Sequence, residues 1–159
     1  MTYNPDKVEY YLNIAEAVGK KGTCLKKKWG CIIVKDNVIV STGYNGAPRK
    51  ILDCQTKGHC SRENSERGTD YAFCPAVHSE QNAIIFGNRA DMKDADMYLV
   101  GIEMCHPGWR YVQKPAPCSL CKRMIINAGI KRVFVKTEEK QFECFDVTLW
   151  DENDITGGY

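Results

Sequence analysis

The sequence predicts an α/β fold in which a central sheet is flanked by helices. Segments with apolar residues at helical spacing alternate along the chain with short aliphatic runs typical of buried strands. The chain has 159 residues, of which 43% are hydrophobic and 26% charged, close to the usual composition of a globular domain. We therefore expect one ordered domain over residues 1–159.

The first half of the chain predicts a helix, a hairpin and a long irregular segment. Asn4 followed by Pro5 is typical of a helix N-terminus, and apolar residues follow at helical spacing. The aliphatic runs 31–34 and 38–40 flank a short turn and predict a hairpin. Residues 45–75 show no periodicity but contain three cysteines. So long a loop is uncommon in a compact domain, so we expect the cysteines to hold it in place.

The second half predicts two more helices, over residues 77–87 and 118–128, the latter ended by Gly129. It also contains short apolar segments that predict strands at 97–102, 109–112, 133–135 and 142–150. Residues 101–116 read as a hairpin extension of the sheet, because a turn-forming His-Pro-Gly sequence separates two of these strands.

The number of cysteines limits the functions that these residues can have. The chain has nine cysteines but only three histidines, and an odd number of cysteines cannot all pair within one chain. The N-terminus lacks the apolar core of a signal peptide, and no stretch reaches the ~18 apolar residues of a membrane span. We therefore expect a cytoplasmic protein with reduced thiols that bind metal or react. The net charge of +2 gives no general case for a membrane or nucleic-acid partner.

Two motifs carry the chemistry, and each opens a predicted helix. His78 and Glu80 lie in the first, and Cys118 and Cys121 form a Pro-Cys-x-x-Cys sequence in the second. One imidazole and two thiols suit zinc, and three protein ligands leave a fourth position for water, as in catalytic sites. Zinc lowers the pKa of its bound water towards ~7. Glu80 then acts as a proton shuttle rather than a ligand.

His-x-Glu followed by Pro-Cys-x-x-Cys is the signature of zinc nucleoside and nucleobase deaminases. In that chemistry Glu80 takes a proton from the zinc water, hydroxide attacks C4 of cytosine, and ammonia leaves. A lone Cys-x-x-Cys also occurs in redox pairs and in structural zinc sites. A redox pair, however, leaves His78 and Glu80 without a role, so the joint pattern favours the deaminase.

Three segments resemble the deoxycytidylate (dCMP) deaminases. Residues 78–84 read His-Ser-Glu-Gln-Asn-Ala-Ile, and Ser79 stands where that family usually has Ala. Residues 42–48 contain the Gly-Tyr-Asn-Gly-x-Pro loop, and residues 125–130 match the segment after the second cysteine. The resemblance runs from about residue 24 to residue 135. It implies a cytidine-deaminase-like three-layer α/β/α sandwich with a mixed sheet of roughly five strands.

The implied reaction converts dCMP and water to dUMP and ammonia, which supplies a thymidylate precursor. The resemblance also implies substrate contacts. Asn45 matches the asparagine that holds the sugar side of the substrate, although Asn before Gly also forms turns. The backbone of Ala76 and Val77 resembles the segment that reads the pyrimidine edge. Lys26 and Lys27 lie where relatives carry Arg-rich sequence, so at least one is expected to bind the phosphate.

A second, structural zinc is implied for four further cysteines that bracket the irregular segment, as in many bacterial and phage members: Cys24, Cys54, Cys60 and Cys74. The alternative is four unrelated reduced thiols, and His59 is the substitute ligand if one cysteine is misassigned. Cys31 and Cys144 are expected to be small buried residues, and Cys105 receives no role.

Other readings remain open. Another member of the superfamily acts on cytidine, deoxycytidine, guanine or a tRNA adenosine, and the tRNA enzyme would want an extended basic face. A non-catalytic zinc protein would bind a nucleotide or a partner, but such a protein has no need of Glu80. The resemblance implies a homo-oligomer, commonly a hexamer, and raises dCTP and dTTP as effectors. Arg49-Lys50 departs from the family in a loop linked to regulation, so no regulatory role is carried over.

Overall fold

A computed structural model describes residues 2–157, which form one mixed sheet with helices on both faces. Its strands are β1 (Lys27–Lys35), β2 (Val38–Tyr44), β3 (Asp96–Met104), β4 (Trp109–Tyr111), β5 (Arg132–Glu138) and β6 (Gln141–Asp146). The spatial order is β2-β1-β3-β5-β6, with the short β4 beside β3. Only the β3–β5 pair is parallel among these strands.

Six α-helices are present in the described residues: α1 (Pro5–Gly19), α2 (Cys54–Lys57), α3 (Ser79–Phe86), α4 (Arg89–Met92), α5 (Ser119–Ala128) and α6 (Glu152–Ile155). Two 3₁₀ turns cover Tyr71–Phe73 and Val147–Leu149. The predicted helices and strands are confirmed, with shifted ends, and the segment predicted as a last strand at 142–150 ends in a 3₁₀ turn. No helix in residues 2–157 is both long and apolar enough to cross a membrane.

The sheet buries both of its faces. On one face, alternate residues such as Ile32 and Phe134 pack against α1. On the other face, Ile33, Leu99 and Val135 form a core with buried residues of α3 and α5. Successive residues of a strand point to opposite faces, so continuous aliphatic runs in β1, β3 and β5 serve both cores. This is the expected three-layer α/β/α arrangement.

Local chemistry sets the first elements. The Asn4 side chain caps α1 by accepting the backbone N–H of Asp6 at 3.0 Å, and Pro5 occupies the first helical position. Asp36 and Asn37 both have positive φ, 48° and 68°, which is the geometry of a two-residue hairpin turn between β1 and β2. Both features were predicted.

The helix α1 lies very close to β1. A Cβ placed on Gly30 would lie 2.0 Å from the carbonyl oxygen of Ala15 and 2.4 Å from the amide nitrogen of Gly19. Such a distance is far inside van der Waals contact, so a side chain at position 30 would push the helix away from the sheet.

Residues 101–116 form the predicted extension. The end of β3 pairs with β4, and Cys105 donates its backbone N–H to Gly108 at 2.9 Å across the turn. The long segment 45–75 stays mostly irregular and is held by specific contacts, for example from the Lys26 ammonium to the carbonyl of Arg62 at 3.0 Å. The hairpin and this segment lie on the same side of the molecule, where both border one cavity.

Candidate active site

The candidate metal ligands lie at the N-termini of two helices. His78 is the N-cap residue of α3, Cys118 is the N-cap residue of α5, and Cys121 lies in the first turn of α5. Nδ1 of His78 is 3.5 Å from Sγ of Cys118 and 3.4 Å from Sγ of Cys121. All three ligand atoms lie within 4.8 Å of one another. Within residues 2–157 this is the only His/Cys/Asp/Glu group with that spacing.

Neighbouring groups fix the histidine and the first thiol. The Gln81 side chain accepts the backbone N–H of His78 at 2.9 Å. The Cys118 sulfur accepts the backbone N–H of Cys121 at 3.5 Å, as a helix cap does. Positive partial charge at a helix N-terminus favours thiolate. The local sequence thus places each ligand atom before any metal binds.

The hydrogen bond between the two cysteines shifts their pKa values in opposite directions. A hydrogen bond from Cys121, together with contact with His78, holds the pKa of Cys118 well below its usual range. The same hydrogen bond, together with burial, raises the pKa of Cys121. The hydrogen bond with Cys118 also raises the pKa of His78 despite burial. Two sulfurs and one imidazole nitrogen form a soft donor set that suits zinc.

Glu80 lies beside this group. Its side chain is buried with 5% of the residue exposed, and Oε2 accepts a hydrogen bond from the Ser79 hydroxyl at 2.8 Å. Burial raises the pKa of Glu80, against the opposing effects of its own backbone N–H and the charge of His78. A raised pKa favours a carboxyl group that both accepts and donates protons near neutral pH. The position beside the ligands is the one predicted for the proton shuttle.

His78, Glu80 and Cys118 open onto a cavity of about 870 Å³. The cavity is bordered by the end of β2, the long segment 45–75 and the β3–β4 hairpin. Of the predicted substrate residues, it is lined by Asn45, Ala76, Lys26 and Lys27. A cavity of this size is in the range of small-molecule sites.

Asn45 has a structural role that the sequence did not reveal. It is buried, its Oδ1 accepts the backbone N–H of Trp29 at 2.8 Å, and its Nδ2 donates to the carbonyl of Lys27 at 2.9 Å. An amide has two N–H groups and an oxygen with two lone pairs. One donor and one acceptor position therefore remain for a ligand.

Ala76 and Val77 differ in their access to the cavity. Ala76 lines the cavity, whereas Val77 does not. The backbone N–H of Val77 donates to Gly46 at 2.8 Å, and its carbonyl accepts from Gly46 at 3.2 Å. This isolated β-bridge uses the groups that were expected to read a pyrimidine from Val77. The direct contact therefore stays a prediction for Val77, whose backbone also fixes the approach to His78.

The two lysines are already engaged. Lys26 donates to the Arg62 carbonyl, and Nζ of Lys27 lies 4.0 Å from Glu103. The structure adds three cavity-lining arginines that the sequence reasoning missed: Arg62, Arg67 and Arg110. They lie in an aperiodic segment and a hairpin, where no sequence pattern indicates which side chains share a wall.

The four remaining predicted ligands, Cys24, Cys54, Cys60 and Cys74, also line the cavity. Burial raises the pKa of Cys54, a backbone N–H from Ser61 opposes that effect, and the other three sulfurs add to it. The four sulfurs are thus neighbours, but they do not meet the 4.8 Å spacing of the first group.

The outlying residues of the cysteine analysis also have defined places. The imidazole of His59 contacts the carbonyl of Lys57 at 3.3 Å, and His59 is exposed. Cys31 is fully buried as expected, whereas Cys144 is half-buried.

Comparison with known proteins decides the family. Residues 5–137 match the cytidine and deoxycytidylate deaminase zinc-binding region. The chain belongs to this deaminase family. A deoxycytidylate deaminase from Mycobacterium phage D29 is 34% identical over 141 residues, which cover 84% of this chain and 97% of the phage protein. A deoxycytidylate deaminase from Schizosaccharomyces pombe is 30% identical over 85% of this chain, but over only 38% of the yeast protein.

Solved structures of deaminases share the fold. A dCMP deaminase from cyanophage S-TIM5, in complex with dCMP and dUMP, superposes with a TM-score of 0.61 at 25% identity. That match covers 86% of this chain and 85% of the phage chain. A cytidine deaminase from Burkholderia pseudomallei superposes with a TM-score of 0.57 at 16% identity, over 92% and 94% of the two chains, and shows the fold alone. The expected cytidine-deaminase-like fold is confirmed, and so is membership of a zinc-binding deaminase family.

Proposed function

We propose that the chain is a zinc-dependent dCMP deaminase, which hydrolyses dCMP to dUMP and ammonia. The observation that carries the proposal is the position of Glu80 in the same cavity as His78 and Cys118, whose ligand atoms lie within 4.8 Å of each other and of the Cys121 sulfur. A structural zinc site needs no buried carboxyl group at its side, whereas hydrolytic deamination needs one to move protons. Deoxycytidylate deaminases among the relatives support the choice of substrate.

Each residue has a defined task. His78, Cys118 and Cys121 hold the zinc, and zinc when bound supplies a water with a pKa near ~7. Glu80 accepts a proton as the water oxygen bonds to C4 of the cytosine ring, and delivers it to N3. A second transfer through Glu80 gives the 4-amino group the proton with which it leaves as ammonia. The products are dUMP and ammonia, so atoms balance against dCMP and water.

The substrate is held from two sides of the cavity. Asn45 offers its remaining amide donor and acceptor to the sugar, as the family resemblance implies. Ala76 offers its backbone to the pyrimidine edge, and Val77 holds that segment against Gly46. Lys26 and Lys27 also line the cavity and supply positive charge for the phosphate.

An ammonia-release assay with the zinc-loaded full chain tests the proposal. We expect dCMP to give the highest kcat/KM among dCMP, CMP, deoxycytidine, cytidine and guanine. A preference for an unphosphorylated compound would overturn the substrate assignment in favour of another deaminase of the superfamily. Absence of ammonia from all five would support a non-catalytic zinc protein instead.

We also propose that Cys24, Cys54, Cys60 and Cys74 hold a second, structural zinc. Their convergence on one wall supports this, as do backbone N–H donors aimed at the sulfurs, from Lys27 to Cys24 at 3.5 Å and from Arg62 to Cys60 at 3.4 Å. Four thiolates would close a tetrahedral site without an open position.

Metal analysis distinguishes the two sites. We expect two zinc ions per chain, one in Cys54→Ser, and two in the matched control Cys144→Ser. A single zinc in the fully loaded unchanged protein would remove the structural site.

Assembly and regulation are further proposals from the family resemblance. We infer a homo-oligomer, in the family commonly a hexamer. Exposed apolar side chains on α3 and in the loop after β2 are candidates for such an interface: Ile85 and Phe86 on the helix, and Ile51 and Leu52 in the loop. Sedimentation equilibrium should give a multiple of 18.0 kDa, and a monomer at micromolar concentration would contradict the inference. The same sample should be assayed with dCTP and dTTP as the candidate effectors.

A cytoplasmic location is proposed on the state of the thiols. All nine cysteines are unpaired in the structure, as reducing conditions require. Fractionation of the producing cells tests this, and recovery in an oxidising compartment would contradict it.

A further inference from the structure

The cavity of the deaminase site is lined by more basic than acidic side chains. The lining contains five Lys or Arg residues and three Glu residues. The long segment and the β3–β4 hairpin contribute three of the basic side chains, Arg62, Arg67 and Arg110. They also contribute two of the acidic ones, Glu66 and Glu103, whereas Glu80 lies beside the metal ligands.

Most of these cations already have partners. The Arg62 guanidinium donates from Nε to the carbonyl of Thr69 at 2.9 Å and stacks on Tyr71, with 3.9 Å from its carbon to the ring centre. Lys26 donates to the Arg62 carbonyl. These two side chains hold the long segment in place, which ties their positions to its backbone.

The side chains of the other two arginines, Arg67 and Arg110, make no hydrogen bond to the backbone of that segment. Arg67 makes no hydrogen bond or ion pair with another residue in the described part of the chain, although its charge contributes to lowering the pKa of Glu103. Arg110 donates to the same carboxylate, from Nε at 2.8 Å and from Nη2 at 2.6 Å. A guanidinium has five N–H donors, so Arg110 keeps three. Glu103 thus bonds Arg110 directly and feels the charge of Arg67, and all three residues line one cavity.

We propose that Arg67 and Arg110 bind the 5′-phosphate of the substrate, with Glu103 as the residue that positions Arg110. This inference rests on the proposed function of the cavity. It gives the hairpin extension a role in substrate binding. It also names two arginines, rather than Lys26 and Lys27, as the main phosphate contacts. Guanidinium groups match the geometry of phosphate oxygens, and their charge-assisted hydrogen bonds are among the stronger ones in proteins.

The arrangement also explains how an anionic residue can lie beside an anion site. Glu103 holds Arg110 through Nε and Nη2 and leaves its other N–H groups directed elsewhere. An arginine fixed by one carboxylate loses less side-chain freedom when it binds a second anion. The phosphate would thus meet preoriented donors.

The test compares phosphorylated and unphosphorylated substrates in the zinc-loaded full chain. We expect Arg67→Gln and Arg110→Gln each to lower kcat/KM for dCMP by roughly 10-fold to 100-fold, the range for one charge-assisted contact. Deoxycytidine turnover should stay within about 2-fold, because that substrate has no phosphate. Arg89→Gln is the matched control, since Arg89 is exposed on α4 and does not line the cavity.

Glu103→Gln tests the positioning role separately. It should raise KM for dCMP and leave kcat nearly unchanged, with no effect on deoxycytidine. An equal loss for both substrates would show a general structural effect and overturn the role of Glu103.

The remaining outcomes also decide the proposal. Equal losses for dCMP and deoxycytidine in both arginine variants, or no loss in either, would overturn it. A change confined to the response to dCTP would overturn it in favour of an effector phosphate. Calorimetric binding of dUMP against deoxyuridine gives the same comparison without turnover. If the protein binds dUMP through these arginines but releases no ammonia, the result would contradict the proposed function and still support the phosphate site.

Discussion

The hydroxyl of Ser79 donates a 2.8 Å hydrogen bond to Oε2 of Glu80. Ser79 is fully buried, and it stands where dCMP deaminases usually have alanine. A side chain that departs from the usual residue of the family therefore contacts the group proposed to move protons. The hydroxyl fixes one carboxylate oxygen of that group.

The first prediction concerns this contact. Ser79→Ala should lower kcat roughly 3-fold to 30-fold and leave KM within about 2-fold, because a hydrogen bond to a charged group is lost without any change in substrate contacts. Ser79→Cys, which keeps the size and a weak donor, should retain intermediate activity. Steady-state kinetics at constant zinc content measures the effect. Unchanged kcat in Ser79→Ala would show that the hydroxyl only fills space.

The second prediction concerns Glu80 itself. Glu80→Gln should keep zinc and fold but lower ammonia release by at least about 100-fold, since the amide cannot accept and return a proton. Glu66→Gln is the matched control, because Glu66 also lines the cavity but lies in the exposed loop. Near-normal activity in Glu80→Gln would contradict the assigned mechanism.

The third prediction concerns removal of the metal. Chelation should abolish ammonia release and lower Tm, because ligand binding to the native state alone stabilises it. Readdition of zinc should restore both in the unchanged protein but not in Cys118→Ser. Full activity in dialysed protein without detectable zinc would disprove a metal-dependent reaction.

The fourth prediction concerns a buried ion pair remote from the metal ligands. Lys136, only 2% exposed, donates to Glu16 at 2.8 Å and to Asn13 at 3.0 Å, which joins β5 to α1. Lys136→Met should reduce the free energy of unfolding by about 3–5 kcal/mol, because it leaves Glu16 partly buried without its main partner. Urea unfolding of both single variants and the double variant with Glu16→Gln measures this. Additive losses would show that the two charges do not interact.

The fifth prediction is the pH dependence of that pair. Burial alone would raise the pKa of Glu16, but hydrogen bonds from Lys136 and Tyr111 outweigh it and lower the pKa. Burial alone would lower the pKa of Lys136, but the bonds to Glu16 and Tyr111 outweigh it and raise the pKa. The contribution of this ion pair to the free energy of unfolding is therefore complete between about pH 4.3 and about pH 10.4, the pKa values of Glu and Lys in an unfolded chain. It is lost below that window as Glu16 protonates, and above it as Lys136 deprotonates.

Unfolding of Glu16→Gln across the acid range checks this prediction. The variant should lose less stability than the unchanged protein between pH 4.3 and pH 3, where protonation of Glu16 contributes. If the free energy of unfolding changes with pH in the same way in both proteins, Glu16 does not contribute to the acid dependence of stability.

The sequence predicted the metal ligands and Glu80 because their chemistry lies in two short contiguous motifs. Each motif opens a helix, so local periodicity and capping were enough to place the ligand atoms. The hairpin turn at Asp36 and Asn37 was predictable for the same local reason.

Features set by tertiary contacts were not predictable. The Asn45 side chain forms a hydrogen bond with the backbone of β1, and Val77 forms a β-bridge with Gly46. Both contacts join segments that are distant in the sequence, so no local pattern indicates them. The pairing of Arg110 with Glu103 depends on the register of β4 against β3, which a three-residue strand does not reveal. Arg67 reaches the same wall from an aperiodic segment.

The amide of Asn45 belongs both to the sheet and to the cavity. It bonds the backbone of Lys27 and Trp29 in β1 while facing the site where the sugar is proposed to bind. Occupancy of the cavity and opening of that strand are thereby linked through one side chain. Amide hydrogen exchange at the start of β1 should slow when a nucleotide binds, so the strand itself reports on ligand binding.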